Sequence, residues 1–145
     1  MKSKLLILLT TIFLVVLISL TIYLLTFQPP QDAKSDNLIV SRVIDGDTFT
    51  LSNNQTVRLI CVDTPEKGKT GYQEAKDYLS GMILDKEVRL EKDVSETDEY
   101  GRLLRYVYVN ISGVEFFVNQ QIVQEGYGSL FVYENDTERC DEISG

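Results

Sequence analysis

Residues 38–66 read LIVSRVIDGDTFTLSNNQTVRLICVDTPE, and this stretch decides the fold. Apolar residues alternate with polar ones on either side of two turn signals, Asp45-Gly46-Asp47 and Asn53-Asn54. Alternation with period two, interrupted by such turns, predicts consecutive antiparallel strands. The strands are expected over residues 38–44, 48–51 and 56–62. The segment therefore predicts a three-stranded meander.

The chain after this meander alternates between helical and extended patterns. Five apolar residues within residues 72–83 recur at helical spacing, which predicts a helix there. Residues 87–90 and 103–109 are typical of strands, and residues 116–125 of a helix closed by Gly126. Five short strands with an inserted helix predict an α+β domain dominated by a five-stranded OB-like β-barrel, closed on itself, with helices packed on it.

The N-terminal segment is apolar. Residues 5–27 carry no charge, and at the helical rise they span roughly 35 Å, enough to cross a bilayer. Lys2 and Lys4 precede the run, so the positive-inside rule predicts a cytoplasmic segment 1–4 and an extracytoplasmic domain 38–145 after a polar linker, 28–37. We expect an uncleaved single-pass anchor in the cell membrane. A cleaved signal peptide, and hence secretion, is the alternative, although no small-x-small cleavage site follows the run.

Composition excludes several kinds of site. The chain has 145 residues, no His and two Cys, with 14 Lys and Arg against 22 Asp and Glu, for a net charge of −8. Without His there is no imidazole base or ligand, and two Cys are too few for a four-thiolate zinc site. The acidic balance argues against binding nucleic acid through bulk positive charge, so an anionic substrate requires local Arg or a bound cation.

The two cysteines, Cys61 and Cys140, lie outside the membrane in the predicted topology, where a disulfide is permitted. Cys61 alternates with apolar residues in the predicted third strand. This pattern favours a buried free thiol over a disulfide.

Three motifs contain residues suited to chemistry. Asp45-Gly46-Asp47-Thr48 is by itself typical of a turn, and Thr97-Asp98-Glu99-Tyr100-Gly101-Arg102 of a solvated turn. Arg58-Leu59-Ile60-Cys61-Val62-Asp63-Thr64-Pro65-Glu66 is more unusual, because a charge within an apolar strand is costly unless it is paired. Carboxylate and carbonyl oxygens are the ligands of hard cations such as Ca²⁺, and Asp47, Asp63 and the main-chain oxygen of Thr64 could supply them. Strict alternation puts Arg58 and Asp63 on opposite faces, so the strand must bend or end before Asp63.

In this order, the three motifs resemble the thermonuclease (staphylococcal nuclease-like) family over roughly residues 38–133. The resemblance implies an OB-like barrel and a Ca²⁺-dependent phosphodiesterase that acts on DNA and RNA and leaves 3′-phosphates. It implies catalytic roles for Arg58, Glu66 and Arg102. It also implies calcium ligation by Asp47, Asp63 and Thr64, supported by Asp45. It further implies that Tyr100 and Tyr133 contact the nucleic-acid substrate.

The residues themselves fit this chemistry. An ionised Glu66 could accept a proton from water, and the guanidinium forks of Arg58 and Arg102 suit phosphate oxygens. Tyr133 is a candidate for base stacking, with burial of Phe131 and Tyr133 in the core as the alternative.

The chain also departs from the family. Glu99 stands where the family often has Lys, and the chain stops at Gly145 where the family continues in a long helix, so a truncated last helix is expected.

We predict a membrane-anchored, extracytoplasmic, Ca²⁺-dependent nuclease that acts as a monomer. One alternative is a non-catalytic OB-like module of the same fold that binds nucleic acid or protein. It is favoured by Glu99, by the shortened C-terminus and by a net charge of −9 over residues 38–145, with 11 Lys and Arg against 20 Asp and Glu. The other alternative, an inactive anchored structural domain, has no positive sequence evidence.

Overall fold

The computed structural model describes residues 12–19, 21, 38–133 and 135–144. Residues 12–19 are helical, and within the described part of the chain we find no helix with the length and apolarity needed to span a bilayer. Most of the predicted anchor, and all of segment 1–4 and the linker 28–37, lie outside the described residues. The chain divides into two compact units, residues 1–34 and 35–145, of which the second is described below.

This second unit combines short strands with three helices in its described residues. The helices are α1 (Tyr72–Ile83), α2 (Val118–Gln124) and α3 (Cys140–Ser144). The strands are β1 (Val40–Val43), β2 (Thr48–Leu51), β3 (Thr56–Leu59), β4 (Val62–Asp63), β5 (Val88–Glu91), β6 (Leu103–Ile111), β7 (Val114–Phe117) and β8 (Ser129–Leu130). The predicted meander and first helix are present: the second strand and the helix have the expected bounds, and the first and third strands differ from theirs by at most three residues.

The main sheet has the order β1-β2-β3-β6-β5, and β7 pairs with the other end of β6. All pairs are antiparallel except β3 with β6, which is parallel. A separate ladder joins β4 to β8, with Val62 opposite Leu130. β4 follows β3 directly in the chain, so this ladder connects the end of β3 to the C-terminal segment that contains β8.

The prediction of a closed barrel is wrong, because the sheet stays open between β1 and β5. No ladder joins these two strands in the described residues; they meet at an isolated Ile39–Glu87 bridge and a 3.0 Å hydrogen bond from the Val88 N–H to the Leu38 oxygen. The free edge of β1 instead contacts the turn after α1, where the Val40 N–H donates to the Lys86 oxygen at 3.0 Å. Because backbone groups on this edge of β1 already form hydrogen bonds with the turn, few of them are left to pair with β5.

Two element boundaries differ from the predictions, and each difference has a local cause. The third strand ends at Leu59 instead of residue 62, because Cys61 adopts a left-handed conformation with φ of 60° that interrupts the ladder. Residues 116–117, predicted as the start of a helix, instead end the strand β7, and the helix begins at Val118. Ser112 and Gly113 both have positive φ and form the tight turn of a β6–β7 hairpin.

The core lies between the sheet and one face of α1. Leu79, Met82 and Ile83 on this face are buried against sheet residues such as Phe49, and Ala75 on the same helix is also buried. Burial of each large side chain contributes about 1.5–3 kcal/mol, which holds α1 in place.

A second buried cluster lies under the C-terminal helix, and it contains a disulfide. Cys61 and Cys140 are joined with their Cα atoms 5.6 Å apart, so the prediction of a free Cys61 thiol is wrong. The turn at Cys61 directs this side chain towards α3, and Ile143 of α3 is fully buried beside it. Because the two cysteines are 79 residues apart, only the packing of α3 could reveal the pairing.

Candidate active site

The Asp45-Gly46-Asp47 turn packs closely against its neighbours. A Cβ atom placed on Gly46 would lie 2.6 Å from Cβ of Ala75 and 2.8 Å from Oγ1 of Thr64, which is closer than real Cβ atoms approach. Glycine is therefore needed for the turn to sit between α1 and the segment after β4. The motif does more than reverse the chain, because this packing brings Asp47 against Thr64.

Asp47 joins the first two motifs. Its Oδ2 atom accepts hydrogen bonds from the backbone N–H and the hydroxyl of Thr64, at 2.9 and 2.8 Å. Its Oδ1 atom accepts from the Thr48 hydroxyl at 3.0 Å and lies 3.1 Å from Nη1 of Arg58. The carboxylate is thus almost fully buried and satisfied on both oxygens, as a buried charge requires.

Arg58 lies between two carboxylates. Besides Asp47 at 3.1 Å, its guanidinium approaches Oδ1 of Asp63 at 3.5 Å and donates to the Val62 oxygen at 2.7 Å. The strand ends before Asp63, as the sequence required, because Cys61 turns the chain and a new strand begins at Val62. Arg58 and Asp63 therefore meet although they are five residues apart.

Asp45 lies close to Asp47, whose backbone N–H donates to Asp45 Oδ1 at 3.2 Å. Burial, and next the negative charge of Asp47, raise the pKa of Asp45 above its usual range. Mutual repulsion of two carboxylates is what a bound cation relieves. The donor set of Asp45, Asp47, Asp63 and the Thr64 main-chain oxygen consists of hard oxygen ligands, so these residues fit Ca²⁺.

The carboxylates do not form a complete metal cage by themselves. Within the described part of the chain, no group of three or more Asp, Glu or Cys side chains converges as a metal site. The Asp63 carboxylate, with 52 % of its side chain exposed, is the most open member of the predicted ligand set. A cation here would depend on main-chain oxygen and water for the rest of its coordination.

Glu66 lies in the loop between β4 and α1. Its side chain is exposed and makes no hydrogen bond or ion pair with the described residues, while its backbone oxygen accepts from the Lys69 N–H at 2.9 Å. The structure does not bring the Glu66 carboxylate into contact with Arg58 or Asp47.

A cleft of about 180 Å³ lies beside Arg58. Of the predicted site residues, Arg58, Tyr100, Arg102 and Tyr133 line it, whereas Glu66 and the predicted metal ligands do not. Further lining residues come from three segments of the chain: Leu59, Ile60, Cys61, Val62, Asp98, Glu99, Leu104, Phe131 and Asp136. The cleft therefore unites the second and third motifs with the C-terminal segment.

Arg102 is held by Asp98, a residue to which the sequence analysis assigned no role. Nε of Arg102 lies 2.6 Å from Asp98 Oδ2, and Asp98 Oδ1 accepts from the backbone N–H groups of Tyr100 and Arg102. Burial alone would raise the pKa of Asp98, but the hydrogen bonds from Arg102 and its charge outweigh burial and lower it. The sequence signal for this pair was the spacing of Asp98 and Arg102, four residues apart with Gly101 in the turn between them. Arg102 is therefore an ion-paired residue and not a freely solvated one.

The aromatic residues near the cleft are exposed. Phe131 and Tyr133 expose about half of their surface, and their rings stack with centroids 6.4 Å apart. Tyr100 is 76 % exposed and its ring lies 5.3 Å from the Arg102 guanidinium carbon. The alternative that Phe131 and Tyr133 belong to the core is wrong.

The fold and the site together define an α+β domain with an open mixed sheet, in which two arginines held by carboxylates line one cleft. Residues 56–144 match the family described as Staphylococcal nuclease homologue, and the chain belongs to this family.

Three relatives show the degree of similarity. The chain is 38 % identical over 112 residues to the Thermonuclease of Staphylococcus hyicus and 37 % identical over 111 residues to that of Staphylococcus intermedius. It is 33 % identical over 118 residues to Endonuclease YncB of Bacillus subtilis (strain 168). The matches cover 71 %, 70 % and 74 % of this chain, but 64 %, 64 % and 54 % of the relatives. The chain thus spans less than two thirds of the length of these relatives.

Proposed function

We propose that this protein is a nuclease that hydrolyses phosphodiester bonds in DNA and RNA with the help of Ca²⁺, leaving 3′-phosphates. The observation that carries the proposal is that Arg58 and Arg102 line one cleft, each already oriented by a carboxylate. Membership of the staphylococcal nuclease family, and similarity to proteins named thermonuclease and endonuclease, support the same conclusion.

The two arginines would bind the phosphate. A guanidinium presents a planar fork of donors that matches phosphate oxygens, and it stays charged at every physiological pH. Arg58 is oriented by Asp47 and Asp63, and Arg102 by Asp98, so little reorganisation is needed as charge develops on the phosphate. Their role in the proposal is to stabilise the transition state.

Glu66 is proposed as the base that accepts a proton from the attacking water. An exposed carboxylate is open to water and can orient it by accepting a hydrogen bond. Pro65, the residue before it, has a fixed φ and restricts the backbone of Thr64.

Asp47, Asp63 and the Thr64 main-chain oxygen, supported by Asp45, would hold Ca²⁺. When bound, this ion supplies Lewis-acid polarisation of a phosphoryl oxygen. The protein's own part is to keep Asp47 oriented through Thr48 and Thr64, which it does with three hydrogen bonds.

Tyr100 and Tyr133 are proposed as substrate contacts at the mouth of the cleft. Exposed aromatic rings bind unstacked bases by stacking, which contributes about 1–3 kcal/mol per base. The stacked pair of Phe131 and Tyr133 offers such a surface beside the arginines.

We further propose that the protein is monomeric and acts outside the cytoplasm, anchored in the cell membrane by residues 5–27 or secreted after cleavage of that segment. The uncharged run supports membrane targeting. The Cys61–Cys140 disulfide adds support, because structural disulfides persist in oxidising compartments.

The proposal is tested with the full chain and single-stranded DNA, in the presence of Ca²⁺ and of a chelator. We expect cleavage only with Ca²⁺, and titration calorimetry should show Ca²⁺ binding that is weakened in Asp63→Asn. As a matched control, Asp77→Asn changes an exposed carboxylate on α1, outside the cleft, and should leave both measurements unchanged. A folded chain that does not cleave in Ca²⁺ would contradict the proposal.

A second candidate function is a non-catalytic module that binds nucleic acid or protein. The observation that favours it is that Glu66 does not line the cleft with the two arginines. If the protein binds single-stranded DNA without cleaving it under all metal conditions tested, it is a non-catalytic module that binds nucleic acid.

A further inference from the structure

Lys67 and Lys69 are exposed cations in the loop between β4 and α1, directly after Glu66. Of the 11 Lys and Arg residues in 38–145, six form ion pairs with carboxylates, and Lys86 donates to two carbonyl oxygens of α1. The four whose side chains do neither, within the described residues, are Arg42, Lys67, Lys69 and Lys76. Three of these four follow Glu66 within ten residues. In an acidic domain, the cations available to an external anion are therefore concentrated beside one proposed catalytic residue.

A tight turn fixes both lysines relative to Glu66. The Lys69 N–H donates to the Glu66 oxygen at 2.9 Å, and Gly68, the third residue of this turn, has a φ of 89°. This is the pattern of a type II turn, which needs glycine at that position and keeps its first and fourth Cα atoms within about 7 Å. The Cα atom of Lys67 is only about 3.8 Å from that of Glu66. Both lysine side chains thus begin close to the Glu66 carboxylate.

The rest of the loop returns to the site instead of extending into solvent. A Cβ atom placed on Gly71 would lie 3.2 Å from Cγ of Pro65, so the end of the loop packs against its beginning. The next residue, Tyr72, donates from its hydroxyl to the Ile44 oxygen at 3.2 Å. Ile44 precedes the Asp45 turn, so both ends of the loop are attached beside the predicted metal ligands.

The turn also lies near the cleft that contains the two arginines. Oδ1 of Asp63 is 3.5 Å from Nη2 of Arg58, which lines the cleft, and Glu66 follows Asp63 by three residues. Three residues span at most about 11 Å even when they are fully extended. A strand whose phosphate is bound in the cleft can therefore reach the turn within a few nucleotides.

The cleft itself has little positive charge to spare for more than one phosphate. Arg58 and Arg102 are each paired with a carboxylate, and three acidic residues line the same cleft: Asp98, Glu99 and Asp136. A nucleic-acid strand carries a further phosphate at every nucleotide, and these need cations elsewhere. A lysine ammonium is a point charge on a flexible stem, which suits a phosphate that need not be held in one orientation.

We propose that Lys67 and Lys69 form a phosphate-binding surface outside the cleft, which holds the sugar–phosphate backbone of the strand on one side of the bond that is cleaved. The inference rests on the proposed nucleic-acid substrate and adds where the strand runs: from the arginines, past Glu66, and over the turn. Phosphate contacts position a strand without reading its sequence. The surface therefore favours strands that continue beyond the cleaved bond, whatever their bases.

The test measures how binding depends on salt. A fluorescently labelled single strand of about eight thymidines, a length within the range that one small nucleic-acid-binding domain covers, is titrated with the full chain in chelator. Fluorescence anisotropy gives Kd at a series of salt concentrations. Each phosphate contact contributes about 0.7 to the slope of log Kd against log salt concentration. We expect Lys67→Gln and Lys69→Gln each to reduce the slope by about 0.7, and the double variant by about 1.4.

Two controls separate the proposed contact from a general effect of charge. Arg42→Gln removes an equally exposed and unpaired cation from β1, outside the loop, and should keep the slope. Lys69→Arg retains the charge and should also keep it. Circular dichroism checks that each variant is folded.

Cleavage of the same strand in Ca²⁺ provides a second readout. The lysines contact a part of the strand that does not react, so they bind the substrate and the transition state equally. We expect the double variant to raise KM roughly tenfold at moderate salt and to leave kcat within about twofold.

The outcomes distinguish the inference from the proposed function. If the unaltered protein neither binds nor cleaves the strand, the nucleic-acid substrate itself is contradicted. If it does cleave, but the folded double variant keeps the salt slope, the inference alone is overturned. It is also overturned if Arg42→Gln reduces the slope as much as either lysine variant, or if the double variant lowers kcat at an unchanged KM.

Discussion

The guanidinium of Arg58 forms an ion pair with the carboxylate of Asp47, with Nη1 3.1 Å from Oδ1. Only 16 % of the Arg58 side chain and 7 % of the Asp47 side chain are exposed. This contact links β3 to the turn after β1. A buried charge that loses its partner is strongly destabilising, so each residue restricts the orientation of the other.

The first prediction concerns this pair. Arg58→Ala should lower the free energy of unfolding by about 3 kcal/mol, because it leaves the Asp47 carboxylate buried and unpaired. It should also lower the cleavage rate about 10²–10³-fold, as expected for the loss of one oriented donor. Urea denaturation and rate measurements check the two effects. Arg58→Lys, which keeps the charge but loses the fork, should recover part of the stability but little of the activity; full activity in this variant would refute the role of the fork.

The second prediction concerns Gly46. Gly46→Ala should destabilise the protein by about 1–3 kcal/mol, because the added methyl group overlaps Ala75 and Thr64 and displaces the Asp47 turn. Thermal unfolding monitored by circular dichroism measures this change. Gly81→Ala is the matched control, since Gly81 lies on α1 with open space around it. It should stabilise the protein by about 0.5–1 kcal/mol, and equal effects of the two variants would contradict the packing described for the turn.

A third prediction follows from the disulfide. The double variant Cys61→Ser, Cys140→Ser should lose about 2–4 kcal/mol of stability, because the bond closes a long loop in the unfolded chain. Denaturation with and without reductant provides the measurement. The unaltered protein should become less stable when reduced, and the double variant should not respond. Identical stability of all four samples would show that the bond does not form in solution.

The fourth prediction separates catalysis from stability at Glu66. Glu66→Gln should lower the cleavage rate about 10²-fold or more, because it removes the proposed base. Its free energy of unfolding should change by less than about 0.5 kcal/mol, since the side chain is exposed and has no partner among the described residues. Glu74→Gln, at another exposed site in the first turn of α1, should affect neither quantity strongly. If the two variants have the same activity, Glu66 is not the base.

A fifth prediction concerns acid stability. The pKa of Asp98 is lowered in the folded state, so its ion pair with Arg102 contributes stability that is fully present above the ordinary pKa of 3.8 and is lost as the pH falls through the folded value. Asp98→Asn should therefore be less stable than the unaltered protein at pH 6, and the difference should shrink below about pH 4. Urea denaturation across pH 3–7 measures it. A difference that is constant over this range would rule out the linkage.

Local patterns were sufficient for much of the fold. The period-two alternation of residues 38–59 and the helical spacing of residues 72–83 predicted the meander and α1, because each pattern reflects a face that must be buried. The prediction was wrong at residues 116–117, which were expected to begin a helix but belong to the second strand of the hairpin formed around the Ser112-Gly113 turn. It was also wrong about closure of the barrel, which depends on the edge contacts of β1 and not on any local pattern.

Part of the candidate site was also predictable from the sequence. The two arginines and two tyrosines that line the cleft were all named from motifs, because charges and aromatic residues beside turns stand out in an apolar pattern. Asp98 stood in the third motif without a role, and Asp136 was not singled out, since an Asp in a polar loop looks the same whether it is exposed or buried. What distinguishes them is burial and partners, and both are properties of the folded chain.

By itself, the sequence determined the three-stranded meander and α1, the family, and the residue types available for chemistry: carboxylates and guanidinium groups without any imidazole. The tertiary structure alone decided that Cys61 pairs with Cys140, that Arg58 reaches both Asp47 and Asp63, and that one oxygen of Asp136 is left as a buried acceptor. The physical reason is range. Hydrophobic periodicity and turn chemistry act between neighbouring residues, whereas disulfides, ion pairs and buried polar atoms depend on segments that meet only when the core has packed.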